Sequence, residues 1–316
     1  MQNNYQIHFA PLQGYTDAIY RNAHARIFGG VDMYYTPFVR IERGEFRSRD
    51  LRDIHPDKNE APLIPQLMAG SADELRRIAA LFVEKGYTHA DINMGCPFPL
   101  LARKRKGSGI LAHPDLVQEM LQSMQDIPEL KFSVKLRLGW EQADEALALL
   151  PLLQQLPIEQ IAVHARLGIQ QYKGSVDMDA FERFYDACEL PLFYNGDLNS
   201  TAEIQAIYTR FPKLKGVMLG RGLLGHPEMA SEASTGALLT SDEKRTRLKE
   251  FHNELFNSYS ELLQGDSQLL TKLKTIWEYL LPDADRKLKK KIAKSNKVAL
   301  YTDAVRVLLN EYTEDV

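Results

Sequence analysis

The chain has 316 residues, of which 44% are hydrophobic and 26% are charged, and its formal net charge at pH 7 is −3. This composition is typical of a globular protein and excludes collagen-like, low-complexity and mostly disordered chains. No apolar run approaches the ~20 residues of a membrane helix, and the first residues lack the basic and apolar regions of a secretory signal. The two cysteines, Cys96 and Cys188, cannot form a disulfide framework or a four-ligand zinc site. We therefore expect a cytoplasmic protein with no membrane contact and no metal site.

The first 230 residues alternate β-rich apolar runs with helical patterns, at a repeat of roughly 25 to 35 residues. Eight runs are predicted as strands, at residues 7–13, 31–39, 62–68, 89–94, 132–138, 160–166, 191–195 and 216–219. Helices are predicted between several of them, at residues 72–85, 114–124, 142–155 and 200–210. Eight βα units indicate an α/β fold of the (β/α)8 TIM-barrel type, with an open doubly wound sheet as the alternative.

The pattern changes after residue 227, where the strand-like runs end. Three helical stretches are predicted at residues 242–263, 268–281 and 286–312. Residues 230–241 are rich in Ser, Thr, Ala and Gly, which predicts a linker. We therefore predict a barrel domain over residues 1–238 and a smaller all-helical C-terminal domain over residues 239–316.

The active site of a (β/α)8 barrel lies at the C-terminal ends of its strands, so the residues there are the candidates. Lys135 and Arg137 share one face of the fifth predicted strand, and His164 and Arg166 share one face of the sixth. A buried lysine is costly unless an anion pairs with it. We interpret Lys135, His164 and Arg166 as surrounding an anionic ligand, and a salt bridge from Lys135 to a barrel carboxylate is the alternative.

Two turns and one cysteine add to this picture. Asn195-Gly196-Asp197 and Gly220-Arg221-Gly222 follow the last two strands, and they predict a phosphate site built from glycine backbone and an arginine. Cys96 lies between Gly95 and Pro97 at the end of the fourth strand. Its thiol could act as a nucleophile or as an acid, and the sequence alone does not choose between them.

With these motifs in hand, the chain resembles the tRNA-dihydrouridine synthases over nearly its whole length. The resemblance is carried by residues 91–97, 135–140 and 163–166 with Gln170, Tyr172 and Gly174, and by residues 195–197 and 220–225. Residues 37–40 and 272–274 most resemble the C-type bacterial branch. In two places the chain departs from the family pattern: Leu167-Gly168 stands where Thr-Arg is frequent, and Pro99-Leu100-Leu101 follows Cys96. Both departures concern contacts with the substrate.

The resemblance implies an FMN enzyme that reduces uridines in tRNA to dihydrouridine, with NADPH (or NADH) as the reductant. Hydride would pass from N5 of the flavin to C6 of uracil, and Cys96 would give a proton to C5. The implied FMN-binding residues are Pro11, Leu12, Gln13, Gln66, Lys135, His164, Asn195, Gly196, Asp197, Gly220 and Arg221.

The charge map supports an RNA partner. Four basic residues follow Cys96 at positions 103–106, and residues 286–297 hold seven basic residues and no acidic ones. The resemblance implies that Arg40, Asn93 and Arg166 contact the uridine and its strand. Together with the charge map it also predicts tRNA contacts by Arg103, Lys104, Arg105, Lys106, Lys272, Lys274, Lys289, Lys290 and Lys291. We expect a monomer.

Three other functions remain open at this stage. The chain could be an RNA-binding protein that has lost its redox activity, or a Schiff-base aldolase that uses Lys135. It could also be an FMN barrel oxidoreductase that reduces a free pyrimidine, although such an enzyme has no need of a basic helical domain. The sequence does not fix which uridine of a tRNA is reduced.

Overall fold

The computed structural model describes residues 5–312 and contains a parallel β-barrel, as predicted. Its eight strands are β1 (Gln6–Phe9), β2 (Met33–Tyr35), β3 (Leu63–Ile64 and Gln66–Leu67), β4 (His89–Met94), β5 (Lys131–Gly139), β6 (Ile158–Leu167), β7 (Leu192–Asn195) and β8 (Gly216–Leu219). A small antiparallel hairpin, Ile41–Glu42 with Glu45–Phe46, lies outside the barrel.

The barrel closes through β3, which Pro65 divides into two segments. The segment Leu63–Ile64 pairs with β2, and the segment Gln66–Leu67 pairs with β4. Because proline has no backbone N–H, the ladder is interrupted at Pro65. The break lets one strand serve both neighbours, so the order of strands around the barrel follows their order in the chain.

Helices surround the barrel, and each of the longer ones follows a strand. They are α1 (Ala18–Ile27), α2 (Ser48–Asp53), α3 (Ala72–Glu84), α4 (Pro99–Ala102), α5 (Pro114–Gln122), α6 (Glu145–Gln155), α7 (Met178–Ala187), α8 (Thr201–Arg210), α9 (Arg221–Gly225) and α10 (Met229–Thr235). Alternation along the strands sends one set of apolar side chains toward these helices and another into the barrel. The second set is Ala10, Tyr35, Ile64, Ala162, Phe193 and Met218.

The C-terminal part consists of α11 (Ser241–Leu262), α12 (Asp266–Ile276), α13 (Arg286–Lys294) and α14 (Val298–Glu311). Thr240 and Glu243 form a capping box that starts α11. The prediction of one helix over residues 286–312 is wrong, because Ser295 adopts an extended conformation and its hydroxyl donates to the Lys291 carbonyl. The predicted helix 268–281 ends instead at Ile276.

The predicted linker over residues 230–241 is also partly wrong, since α10 occupies its first half. Ala230 and Ala233 are buried there, and the backbone at Ser231 packs directly against Gly30. A Cβ atom at Gly30 would lie 2.3 Å from the Ser231 nitrogen, and Gly30 has a φ of +75°. Small residues therefore allow a close helix contact here instead of a flexible connection.

The C-terminal helices pack against the first βα unit of the barrel. Phe251 of α11 meets the ring of Tyr20 edge-on at 5.2 Å, and the Tyr259 hydroxyl donates to Asp17 at 2.7 Å. Lys272 of α12 forms a 2.9 Å ion pair with the same aspartate. The division into domains at residue 238 stays a prediction. Among residues 5–312, no helix is both long enough and apolar enough to cross a membrane.

Candidate active site

A cleft opens at the C-terminal ends of the barrel strands, and its roughly 550 Å³ of space is continuous with the solvent. Nine of the eleven residues predicted to bind the cofactor line it: Pro11, Leu12, Lys135, His164, Asn195, Gly196, Asp197, Gly220 and Arg221. The other two do not line it, because Gln13 is exposed outside the cleft and Gln66 is fully buried beneath it.

Lys135 reaches the cleft from β5 and is held by an amide. Its Nζ donates to Asn195 Oδ1 at 2.7 Å, and Asn195 Nδ2 donates to the Met218 carbonyl at 2.6 Å, which fixes the orientation of the asparagine. Lys135 forms no salt bridge with any carboxylate in the described part of the chain. Burial, aided by the charge of Arg137, lowers the pKa of Lys135 to about 8. The ammonium therefore has one neutral acceptor for three N–H donors, which suits a polar or anionic ligand.

An arginine–aspartate cluster forms the floor beside Lys135. Asp197 accepts hydrogen bonds from Arg166 and, at 2.7 Å, from Arg221. Although burial opposes the shift, the hydrogen bonds and charges of these arginines lower the pKa of Asp197 below its usual range. Arg166 is only 2% exposed and also donates to the Gly174 carbonyl. Its side chain therefore has internal partners, and its predicted contact with uridine stays a prediction.

Two residues outside the predicted site are connected with this cleft. Tyr172 lines it, and the guanidinium carbons of Arg137 and Arg221 lie 5.4 Å and 4.7 Å from the centre of its ring. Arg137 donates to the carbonyls of Gly95, Leu167 and Gln171 and so ties the ends of β4 and β6 together. The sequence signal for Arg137 is its place two residues after Lys135 on one strand face.

His164 is neutral in this surrounding of cations. Burial, together with the charges of Arg137, Lys135, Arg166 and Arg221, moves its pKa well below its usual value. Its Nε2 lies 3.5 Å from an Arg166 nitrogen, and because arginine can only donate, Nε2 is the accepting nitrogen. The Nδ1 atom then carries the ring proton and is the donor of this side chain.

Cys96 follows β4 and packs against Phe38, Met68 and Leu101. Burial raises the pKa of its thiol, although the Phe98 backbone N–H and the nearby charges of Arg137, Arg40 and Lys135 act in the opposite direction. The thiol is consequently protonated at neutral pH. Since the thiolate is the nucleophilic form of cysteine, this environment favours a proton donor over a nucleophile.

A chain of three side chains lies under the turn that carries Cys96. Asp91 accepts from Gln66 Nε2 at 2.7 Å, Gln66 Oε1 accepts from Asn93 Nδ2 at 2.7 Å, and Asn93 Oδ1 accepts from the backbone N–H groups of Gly95 and Cys96. Asp91, which was not predicted as a site residue, is fully buried, and burial raises its pKa to about 6. Gln66 is thus the middle member of this series of hydrogen-bonded side chains, and Asn93 holds the backbone turn at Gly95 and Cys96. Their predicted contacts with cofactor and uridine stay predictions.

The predicted RNA-binding cations divide into exposed and internally bonded groups. The exposed ones are Arg103, Lys104, Arg105, Lys290 and Lys291. Lys106 pairs with Glu74 at 2.6 Å, Lys272 with Asp17, and Arg40 lies 3.5 Å from Glu42. Lys274 donates to the Ser295 carbonyl, and Lys289 donates to the carbonyls of Leu280 and Leu281. The internally bonded lysines therefore have structural roles, which weakens the prediction that they contact phosphates.

One basic surface remains in the C-terminal part. A groove between α13 and α14 is lined by Lys287, Lys290, Lys291 and Lys294 of α13 and by the apolar residues Leu288, Leu300 and Val307. Within residues 5–312, no group of three or more His, Cys, Asp or Glu residues could hold a metal ion.

Comparisons with known proteins identify the family of the chain. The family model described as dihydrouridine synthase (Dus) matches residues 8–309. tRNA-dihydrouridine synthase B of Pseudomonas putida is 31% identical over 221 residues, which are 69% of this chain and 64% of that protein, so slightly less than two thirds of that relative is matched. tRNA-dihydrouridine(16) synthase of Pseudomonas syringae pv. tomato is 30% identical over 72% of this chain and 74% of its own length. Because the identities to these two relatives are nearly equal, they do not distinguish between branches of the family, and the assignment to the C-type branch stays a prediction.

A solved structure of a morphinone reductase variant in complex with tetrahydroNAD resembles this chain with a TM-score of 0.54. The sequence identity is 13%, and the alignment covers 74% of this chain and 87% of the other. At that identity the likeness extends to the barrel fold alone.

Proposed function

The chain belongs to the dihydrouridine synthase family, and from this membership we propose that it reduces specific uridines of tRNA to 5,6-dihydrouridine, with FMN as cofactor and NADPH (or NADH) as reductant. The observation that carries the proposal is the cleft, where a half-buried ammonium with spare donors, a neutral histidine and an arginine meet near a protonated thiol. The names of the curated relatives support the choice of substrate.

The residues of the cleft fit FMN. The side chain of Arg221 is 30% exposed and supplies positive charge for a phosphate. Gly220 leaves open space beside it, because a Cβ atom at that position would have no neighbour nearer than 3.7 Å. Lys135, His164 Nδ1 and Asn195 offer donors to the polar edge of a flavin ring. When bound, the flavin supplies the hydride that reduces C6 of the uracil ring.

Cys96 would complete the reduction by donating its proton to C5. Its half-buried, protonated thiol has the required form at neutral pH. Arg137 contributes by holding the turn of Cys96 through the Gly95 carbonyl. The chain's own residues thus bind the cofactor on one side of the cleft and present an acid from the neighbouring strand β4.

The target base must leave its stack to reach this cleft. The exposed cations at residues 103–105 and on α13 would hold the phosphates of the surrounding RNA. We also propose that residues 1–238 and 239–316 act as catalytic and tRNA-binding domains of a monomer, and that the protein works in the cytoplasm, where tRNA is modified.

The test is to reconstitute the purified protein with FMN and NADPH and to map dihydrouridine by mass spectrometry. The substrate is tRNA from a strain that lacks the gene. We expect a yellow protein that forms dihydrouridine at a small number of positions. A protein that cannot be loaded with FMN would overturn the cofactor assignment, and reduction of free uracil without reduction of tRNA would overturn the substrate.

A further inference from the structure

We propose that Asp91 is a positioning residue whose carboxylate orients Gln66 and Asn93 and, through them, the backbone turn that presents the Cys96 thiol. We call these three side chains the relay. The inference rests on the proposed function only for the role of the thiol as an acid, because the geometry of the relay is independent of substrate.

The direction of the relay begins at Asp91, which is 1% exposed. Its Oδ1 accepts from the Ser133 hydroxyl at 2.6 Å and its Oδ2 accepts from Gln66 Nε2 at 2.7 Å. An ionised carboxylate has only acceptors. Gln66 must therefore turn its amide nitrogen toward Asp91, because the opposite orientation would bring two oxygens together in a buried site.

Each following orientation depends on the one before it. With its nitrogen committed to Asp91, Gln66 offers Oε1 to Asn93, which donates Nδ2 at 2.7 Å. Asn93 then presents Oδ1 to the backbone N–H groups of Gly95 at 3.1 Å and Cys96 at 2.9 Å. A reversed Asn93 would place an N–H₂ group against two buried N–H groups, and the turn would lose both hydrogen bonds.

The relay matters because an amide side chain by itself has no preferred orientation. Gln66 and Asn93 can each rotate by 180° with little change in shape, so only the ends of the relay decide between the two states. Asp91 is the end that can only accept, and the N–H groups of the turn are the end that can only donate. Replacing Asp91 by a residue that can donate removes the first of these constraints.

The experiment follows the reactivity of the thiol and needs no RNA. In a Cys188→Ala background, Cys96 is the only cysteine. Its alkylation by iodoacetamide is measured from pH 6 to pH 10 on protein loaded with FMN, and the limiting rate is obtained by fitting the rise of the rate with pH. The limiting rate at high pH reports access to the thiolate and does not depend on its pKa. In Asp91→Asn the new amide can turn either its oxygen or its nitrogen toward Gln66, so the reversed relay competes with the present one and only the turn still selects between them. We expect this limiting rate to rise by about three- to tenfold, tenfold being the factor for one fully lost buried hydrogen bond.

A second variant distinguishes orientation from mere packing. In Asp91→Asn combined with Gln66→Glu, the acceptor-only group moves to position 66, where it accepts from both neighbours and keeps Asn93 in its present orientation. The double variant should therefore return to within about twofold of the parent protein. Ser133→Ala is the matched control, because it removes the other hydrogen bond to Asp91 and leaves the relay intact, so it should also stay within about twofold.

Several results would overturn the proposal. These are an unchanged limiting rate in Asp91→Asn, a double variant that is no better than the single one, and a Ser133→Ala variant as perturbed as Asp91→Asn. Loss of the folded protein in both the single and the double variant would overturn it as well, since the double variant is expected to fold. A parent protein that fails to reduce tRNA would instead refute the proposed function and leave this test unaffected.

Discussion

Cys96 follows β4 and Lys135 lies on the neighbouring strand β5, and burial drives both side chains toward their neutral forms. The pKa of the thiol rises and that of the ammonium falls to about 8. A thiol that stays protonated can give a proton to carbon at neutral pH. We therefore expect Cys96→Ala to retain FMN and to slow uridine reduction by roughly 10²–10⁴, the usual range for general acid catalysis. Single-turnover reduction of tRNA measures the effect, with Cys188→Ala as the control, and full activity in Cys96→Ala would assign the proton to another donor.

The pKa of Lys135 makes the affinity for an anionic cofactor depend on pH. Below pH 8 the ammonium is charged before the ligand arrives, and above pH 8 a proton must be taken up on binding. The dissociation constant for FMN should therefore rise as the pH increases from 8 toward 9.5, by up to tenfold per unit. Quenching of flavin fluorescence measures it. Lys135→Arg, which keeps its charge over this range, should give a flatter profile, and a flat profile in the parent protein would contradict the role of Lys135.

At the scale of elements, hydrophobic periodicity predicted the strands, which depend on local sequence. It missed elements whose buried residues depend on partners far away in the chain. All eight strands were predicted near their observed positions, because buried parallel strands are apolar runs. The first was predicted to end at residue 13 and ends at Phe9, since Pro11 cannot continue a ladder. Helix α1 was not predicted because its buried face includes Arg21, Asn22 and His24, whose partners come from distant residues.

The candidate site likewise contains some residues whose positions the sequence predicts and others whose roles depend on distant partners. The residues that line the cleft come from strand ends, which topology alone locates. The role of Gln66 could not be predicted, because its partners Asp91 and Asn93 lie on the next strand and the bonds depend on register. Likewise, nothing local shows that Lys274 and Lys289 would be bonded to backbone carbonyls.

The unusual residues after Cys96 form α4, with Pro99 at its first position. Leu101 is buried beside Cys96, whereas Phe98 is 51% exposed and Leu100 is 60% exposed. If the cleft acts on RNA as proposed, exposed apolar side chains near it can stack on or wedge between bases. We expect Phe98→Ala to lower kcat/KM for tRNA by roughly 5- to 100-fold, the range for one lost stacking contact. Leu238→Ala, which removes a 72% exposed leucine elsewhere, should have no effect, and equal loss in both variants would contradict the prediction.

At the scale of the whole molecule, Lys272 connects the helical part to the barrel. It pairs with Asp17, donates to the Gly14 carbonyl at 2.8 Å and lies 5.0 Å from the centre of the Tyr259 ring. The side chains of Lys272 and Asp17 are 19% and 34% exposed. Loss of the lysine therefore leaves a partly buried carboxylate with one partner fewer. We expect Lys272→Ala to destabilise the fold by about 1–3 kcal/mol and to lower Tm by several degrees. Calorimetry measures it, and an unchanged Tm would show that the contact contributes nothing.

Although the net charge of the chain is −3, helix α13 presents a cluster of positive charge. Lys290, Lys291 and Lys294 are exposed on α13 beside the apolar groove. If these three contact phosphates, the logarithm of tRNA affinity should fall with the logarithm of salt concentration by about 0.7–0.9 per contact. Replacing all three with Ala should therefore flatten the slope by roughly 2.

The matched control replaces three exposed lysines, Lys131, Lys213 and Lys215, with Ala. They lie at the N-terminal ends of β5 and β8, whereas the cleft lies at the C-terminal ends of the strands. It removes the same charge from the far side of the barrel. A slope that flattens equally in both variants would show a general effect of net charge. A slope that changes only in the α13 variant assigns the phosphate contacts to that helix, and a slope unchanged in both leaves tRNA binding to residues 103–105 at the mouth of the barrel.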